Sequence, residues 1–178
     1  MTKLPPHPAQ LPLQAQCAPE APDCLPPLPR KDKVMAYITQ GRRLLVCRHP
    51  FHPEAGLQVP GGTMRPGEDP IKAVLREVQE ETGLTLLSEP RWLAWQWVDA
   101  SRFGKQELHR RWFFHLVCHQ DTPPLWRHFE RDPSDGSDSP IALDWYWTPA
   151  PAQVPQLAGL QGGLLPLLWR TLGWPTHR

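Results

Sequence analysis

Gly62-Thr63-Met64-Arg65-Pro66-Gly67-Glu68-Asp69-Pro70-Ile71-Lys72-Ala73-Val74-Leu75-Arg76-Glu77-Val78-Gln79-Glu80-Glu81-Thr82-Gly83-Leu84 is a loop, a helix and a stop written in one stretch. Asp69 supplies a side-chain acceptor at the N-cap, and Pro70 a fixed φ at the first helical position. From there to Thr82, the apolar residues Ile71, Val74, Leu75 and Val78 recur at helical spacing. At about 100° per residue they fill an arc of roughly 100°. Glu77, Glu80 and Glu81 fill a neighbouring arc of about the same width. Gly83 provides the left-handed stop.

Three clustered carboxylates repel one another, which an isolated helix avoids. On an arbitrary helix they would form a solvated acidic face, with Arg76 pairing Glu80 one turn on. Here the helix is entered through Val59-Pro60-Gly61-Gly62, whose glycines allow close backbone approach and expose carbonyl oxygens. Carboxylates with a backbone carbonyl are hard oxygen donors, the ligand set of Mg²⁺ or Mn²⁺. Such a cation neutralises charge in a phosphoryl transition state and acidifies a bound water, which a neighbouring Glu can orient. Hydrolysis of a phosphoanhydride suits this constellation.

As spacing, the stretch is Gly-x5-Glu-x7-Arg-Glu-U-x-Glu-Glu-x-Gly-U with U a bulky aliphatic residue, met by Gly62, Glu68, Arg76, Glu77, Val78, Glu80, Glu81, Gly83 and Leu84. No position departs from the signature of the Nudix hydrolases, which the chain resembles through this box and, more weakly, over about residues 31 to 172. The resemblance implies an α/β fold, an α/β/α sandwich around a mixed β-sheet. It implies hydrolysis of a nucleoside diphosphate linked to another moiety, with Mg²⁺ and Mn²⁺ as the alternative. By position, Glu77, Glu80 and Glu81 resemble metal ligands, helped by the carbonyl of Gly61 or Gly62. Arg76 would orient Glu77 through a salt bridge, and Glu68 would brace the loop. In several branches a further acid on a late loop acts as base or extra ligand. Asp121, Glu130, Asp132, Asp135 and Asp138 qualify by position, and Glu130 is selected because it follows Trp126 and Phe129.

The rest of the chain bounds this reading. Its 178 residues suit one domain with a sizeable core, residues 31–178. A net charge of +1 advertises neither a polyanionic partner nor a nucleic-acid face. The expected partner is a small nucleoside diphosphate derivative, and a homodimer is compatible. Cys17, Cys24, Cys47 and Cys118 show no zinc-like spacing, so free thiols in a reducing compartment are expected. With no apolar run of membrane length and no basic-then-apolar order at the start, a cytoplasmic location is expected. Residues 1–30 hold nine prolines and few charges, which predicts a flexible, partly polyproline tail.

Strands are predicted over 34–39, 44–48, 91–98, 108–119 and 141–148, a closing helix over 164–172, and a long polar loop over 121–140. Arg48, His49 and His52 before the Gly-rich entry are placed to meet phosphates. Of Arg110 and Arg111, alternation puts only one on the substrate face, and Arg111 is selected. Most of the nine tryptophans fall on strands and read as core. Trp126 and Phe129, in the expected loop, are the candidates for stacking on a base.

Substrate choice is less constrained. ADP-ribose hydrolases of the family tend to carry a proline near the position of Val98 to Ser101, and dinucleoside polyphosphate hydrolases a tyrosine slightly further on. This chain has neither, and Leu44 to Arg48 does not match the coenzyme A hydrolase consensus. Free nucleotides and nucleotide sugars are therefore favoured. The alternatives are a catalytically silent nucleotide-binding regulatory domain and a phosphohydrolase acting on a non-nucleotide substrate.

Overall fold

A computed structural model describes residues 20–131 and 140–175. The chain runs β1 (Arg30–Gln40), β2 (Arg43–Arg48), β3 (Gly61–Thr63), α1 (Pro70–Thr82), β4 (Arg91–Asp99), β5 (Leu108–Val117), β6 (Leu125–Glu130), β7 (Ile141–Pro149) and α2 (Leu165–Thr171). All seven strands join one sheet in the order β4-β5-β1-β2-β7-β6, with β3 also paired to β1. β1 and β5 run parallel and the other pairs antiparallel, so the sheet is mixed. One edge of β1 is shared: β3 takes Lys33 to Met35, and β2 takes Thr39 and Gln40.

Alternation along β1 builds both cores. Val34, Ala36 and Ile38 face one way and meet Val74 and Val78 of α1 together with Phe114 and Trp145. Met35 and Tyr37 face the other way and meet Phe113 with Leu165, Leu168 and Trp169 of α2. Helices therefore cover opposite faces, which is the expected α/β/α sandwich. Among the described residues no helix is long and apolar enough to cross a membrane, and Cys24, Cys47 and Cys118 are free thiols.

Two expectations change. Residues 121–140 are not one loop: 125–130 form β6, antiparallel to β7, from Leu125 opposite Tyr146 to Glu130 opposite Ile141. Its polar composition hides a period of two, because Trp126, His128 and Glu130 are the more buried positions and Leu125, Arg127 and Phe129 the exposed ones. Asp132, Asp135 and Asp138 lie outside the described residues, as does most of the expected tail. On α1, Leu75 is 36% exposed whereas Ala73 and Glu77 are buried, so the buried face is turned from the apolar stripe toward the carboxylates.

Candidate functional site

Helix α1 begins and ends as its sequence dictates. Asp69 accepts from the amides of Ile71 and Lys72 at 2.9 and 3.1 Å. Gly83 closes the helix at φ 74°, its amide donating to the Gln79 carbonyl. Two C-terminal carbonyls that the helix leaves open find indole donors: Trp145 Nε1 reaches Glu81 O at 2.7 Å, and Trp126 Nε1 reaches Thr82 O at 3.0 Å. These contacts moor the helix to β6 and β7.

Mooring along β6 brings Glu130 onto the carboxylate stripe. One ligand atom from each of Glu77, Glu81 and Glu130 lies within 4.8 Å of the others. Glu77 is 1% exposed and Glu130 6%. Burial raises Glu77 above the ordinary carboxylate range, against the pull of Arg76. Glu81 is raised well above it, by burial first and then by the charge of Glu130. Anions crowded away from water are costly unless a cation joins them.

The Gly-rich entry fits around the same atoms. The Gly61 amide donates to Glu81 Oε2 at 2.9 Å. A Cβ on Gly62 would sit 2.2 Å from Glu77 Oε2, so only glycine leaves that carboxylate its place. The donor set is all oxygen and anionic, as a hard divalent ion requires.

Glu80, expected as a third ligand on α1, is placed differently. Its Oε2 accepts from Arg76 Nη1 at 2.9 Å, and its Oε1 is 3.6 Å from Arg65. It occupies the edge of the stripe farthest from the core, and the structure groups Glu130 with Glu77 and Glu81 in its stead. Arg76 is the hub of a second network. Nε and Nη2 grip Glu68 in a fork at 2.8 Å each, and Nη1 also reaches Glu77 at 2.8 Å. Glu68 in turn accepts from the Arg65 amide. The Arg76 bond holds the Glu68 carboxyl down at about 2.

The candidates outside the box scatter. Arg48 is 3.4 Å from Asp144, which Arg127 also grips in a fork. Arg110 forks onto Asp32, whereas Arg111 is 6% exposed and donates to the Gly159 carbonyl. Trp126 is half-buried, bonded to α1 and leaning on Trp147 at 6.5 Å, so its indole serves packing where a stacking role was expected. Phe129 is 48% exposed and lines a shallow groove with Gln79 and Glu80. His49 and Arg48 share a separate cavity with Asp144. Lys33 was not anticipated. It lies early in β1, three residues after Arg30, and donates to Thr63 Oγ1 at 3.0 Å, beside the Gly-rich entry.

Comparison with known proteins identifies the family. The NUDIX domain model matches residues 29–149. An RNA pyrophosphohydrolase of Acidiphilium cryptum (strain JF-5) is 30% identical over 141 residues, 74% of this chain and 82% of that protein. A UDP-X diphosphatase structure superposes with a TM-score of 0.55 at 20% identity, covering 90% of this chain and 68% of the other. A MutT Nudix hydrolase from Burkholderia pseudomallei gives 0.52 at 23% identity, covering 78% and 98%. The chain belongs to the Nudix family. It is a Nudix hydrolase of phosphoric anhydride bonds, a family that generally uses divalent metals.

Proposed function

We propose that this protein is a Mg²⁺-dependent pyrophosphohydrolase that cleaves a nucleoside diphosphate linked to another moiety, with free nucleotides and nucleotide sugars favoured. The observation that carries the proposal is the convergence of Glu77, Glu81 and Glu130 within 4.8 Å, beside a glycine whose Cβ would collide with Glu77. Glu77, Glu81 and Glu130 would hold the ion, with a carbonyl of Gly61 or Gly62, and Glu80 would stay in reserve on Arg76. When bound, Mg²⁺ supplies charge to the phosphate oxygens and lowers the pKa of water.

The chain's own residues do the remaining work. Arg76 fixes the rotamer of Glu77 by a charge-assisted bond and keeps its guanidinium away from substrate. Glu130 approaches from a different element than Glu77 and Glu81, and in this reading its second carboxylate oxygen would take a proton from an attacking water. Arg111 contributes to substrate binding, whereas Arg48 and Trp126 are engaged with Asp144 and Thr82.

A phosphate-release screen tests this reading. The panel holds nucleoside di- and triphosphates, nucleotide sugars, dinucleotides and a triphosphate-ended RNA oligonucleotide. The RNA is included because the Acidiphilium cryptum relative bears an RNA pyrophosphohydrolase name. Turnover should appear with Mg²⁺ or Mn²⁺ and vanish with EDTA. A protein inert on the whole panel, or indifferent to EDTA, would overturn the proposal.

A further inference from the structure

On the sheet face covered by α2, a polar row crosses four strands. Register pairs Thr63 of β3 with Lys33 of β1, Lys33 with Arg111 of β5, and Arg111 with Gln96 of β4. Register partners project to the same face. The row starts one residue from Gly62, against which Glu77 lies. It ends beneath the turn 158–161, where Arg111 donates to Gly159 O and Gln96 to Leu160 O. Arg111 lines a cavity of about 230 Å³ there, with Lys105, His109 and Phe103. The side-chain Oε1 of Gln161 links that cavity to the Gly-rich entry by accepting from the Val59 backbone amide at 2.8 Å.

Arg111 is the uncompensated charge of this row, whereas Lys33 is drawn by Glu107, Glu77 and Glu81. Arg111 is 6% exposed, its Nε is buried without an acceptor, and no carboxylate among the described residues pairs with it. Burial drives the guanidinium down to about 10. Lys33 is lowered too, by burial first and then by Lys105. Glu107, which acts on Lys33, is itself engaged by Lys31 at 3.0 Å and by His109 at 2.7 Å. Folding gains nothing from desolvating an unpaired cation, and such groups mark ligand sites.

We infer that Lys33, Arg111 and Lys105 form an anion subsite for the part of the substrate beyond the scissile anhydride, so that the preferred substrate carries a second anionic group such as a further phosphate. The inference rests on the hydrolase reading above and narrows its substrate class. Donors dominate the subsite, and its two rings, Phe103 and His109, are outnumbered by polar and cationic groups, so a charged group suits it better than a stacked base. With Nη1 held by Gly159 O and Nε buried, Arg111 would meet phosphate through Nη2, with Lys33 and Lys105 as point charges beside it.

The test is binding of inorganic pyrophosphate to the full chain in EDTA, read by thermal shift and calorimetry, alongside steady-state kinetics on the best substrate. Arg111→Met should bind pyrophosphate at least ten-fold more weakly, raise KM by a similar factor, and keep or raise the ligand-free Tm. Lys105→Gln, on an exposed turn, should weaken binding several-fold with no change in ligand-free Tm. A folded Arg111→Met that binds pyrophosphate like the wild type overturns the inference. If that variant does not fold, Lys33→Met and Lys105→Gln decide by the same criterion. Arg111-dependent pyrophosphate binding in a protein with no turnover would sink the hydrolase reading and leave the subsite standing. Turnover with unchanged KM in Arg111→Met would do the reverse.

Discussion

Arg76 and Arg111 are the same side chain in opposite circumstances. Arg76 meets Glu68, Glu77 and Glu80, and those carboxylates raise its proton affinity. Arg111 meets a carbonyl and a cavity, and burial lowers it to about 10. A guanidinium satisfied by the fold is a brace; one left unsatisfied is available to a ligand. The carboxylates divide likewise, Glu68 and Glu80 being absorbed by Arg76 while Glu81 and Glu130 crowd together.

The largest effect should come from the crowded acids. Glu81→Gln removes one anionic ligand and one source of repulsion together. Turnover at saturating substrate and Mg²⁺ should fall by about a hundred-fold or more. The melting temperature should hold, since the amide relieves repulsion with Glu130. A variant as fast as wild type would remove Glu81 from the centre.

Arg76→Lys comes next and bears directly on the two arginines. Lysine cannot reproduce the forked grip on Glu68 while reaching Glu77 and Glu80. Leaving part-buried carboxylates unpaired should cost on the order of 3 kcal/mol of stability, and the activity loss should fall in kcat with KM little changed. Arg111→Met should show the converse, a KM effect with no stability cost. Chemical denaturation of both variants checks this, and equal losses of stability would erase the distinction between brace and ligand site.

What the sequence revealed follows the same division. The helix boundaries at Asp69 and Gly83 are local, set by side chains within a few residues, so capping and periodicity are enough to read them. The sandwich is legible because β1 alternates cleanly between two apolar faces. Glu130 could be selected, but its partner set could not, because that depends on β6 lying along α1. The period of two in Leu125 to Glu130 was the available signal, and the neighbouring polar run obscured it. Lys33 was missed altogether: nothing nearby in sequence marks a lysine that becomes important by pairing across the sheet with Thr63 and Arg111.

Acid titration should separate two weaker contributions. The folded protein holds Glu68 at about 2 against an ordinary 4.5, with Arg76 the first cause. Its contribution is complete above 4.5 and fades as pH falls toward 2. Burial lowers His115, bonded to Thr39 at 2.9 Å, to about 4 from 6.5. Between those values the unfolded chain takes up a proton that the folded one refuses, so stability also declines as pH drops from 6.5 to 4. In melting curves from pH 7 to 3, His115→Gln should flatten the upper window and Glu68→Gln the lower. Parallel curves for all three proteins would show that neither group governs acid sensitivity.

Trp126 should give the smallest effect, and it tests whether β6 has a packing end and a chemical end. Trp126 and Glu130 share one side of the strand four residues apart, so both meet α1, the indole at its terminus and the carboxylate at Glu77 and Glu81. Trp126→Phe keeps most of the apolar contact with Trp147 but withdraws the donor from Thr82 O. That loss is worth about 1 kcal/mol. KM should stay within about two-fold of wild type even for substrates bearing a nucleobase, because the ring is engaged by the protein itself. Glu130→Gln on the same strand should instead lower kcat and leave stability unchanged. If Trp126→Phe raised KM selectively for nucleobase substrates while its melting temperature held, the ring would face the ligand, and both ends of β6 would belong to the substrate.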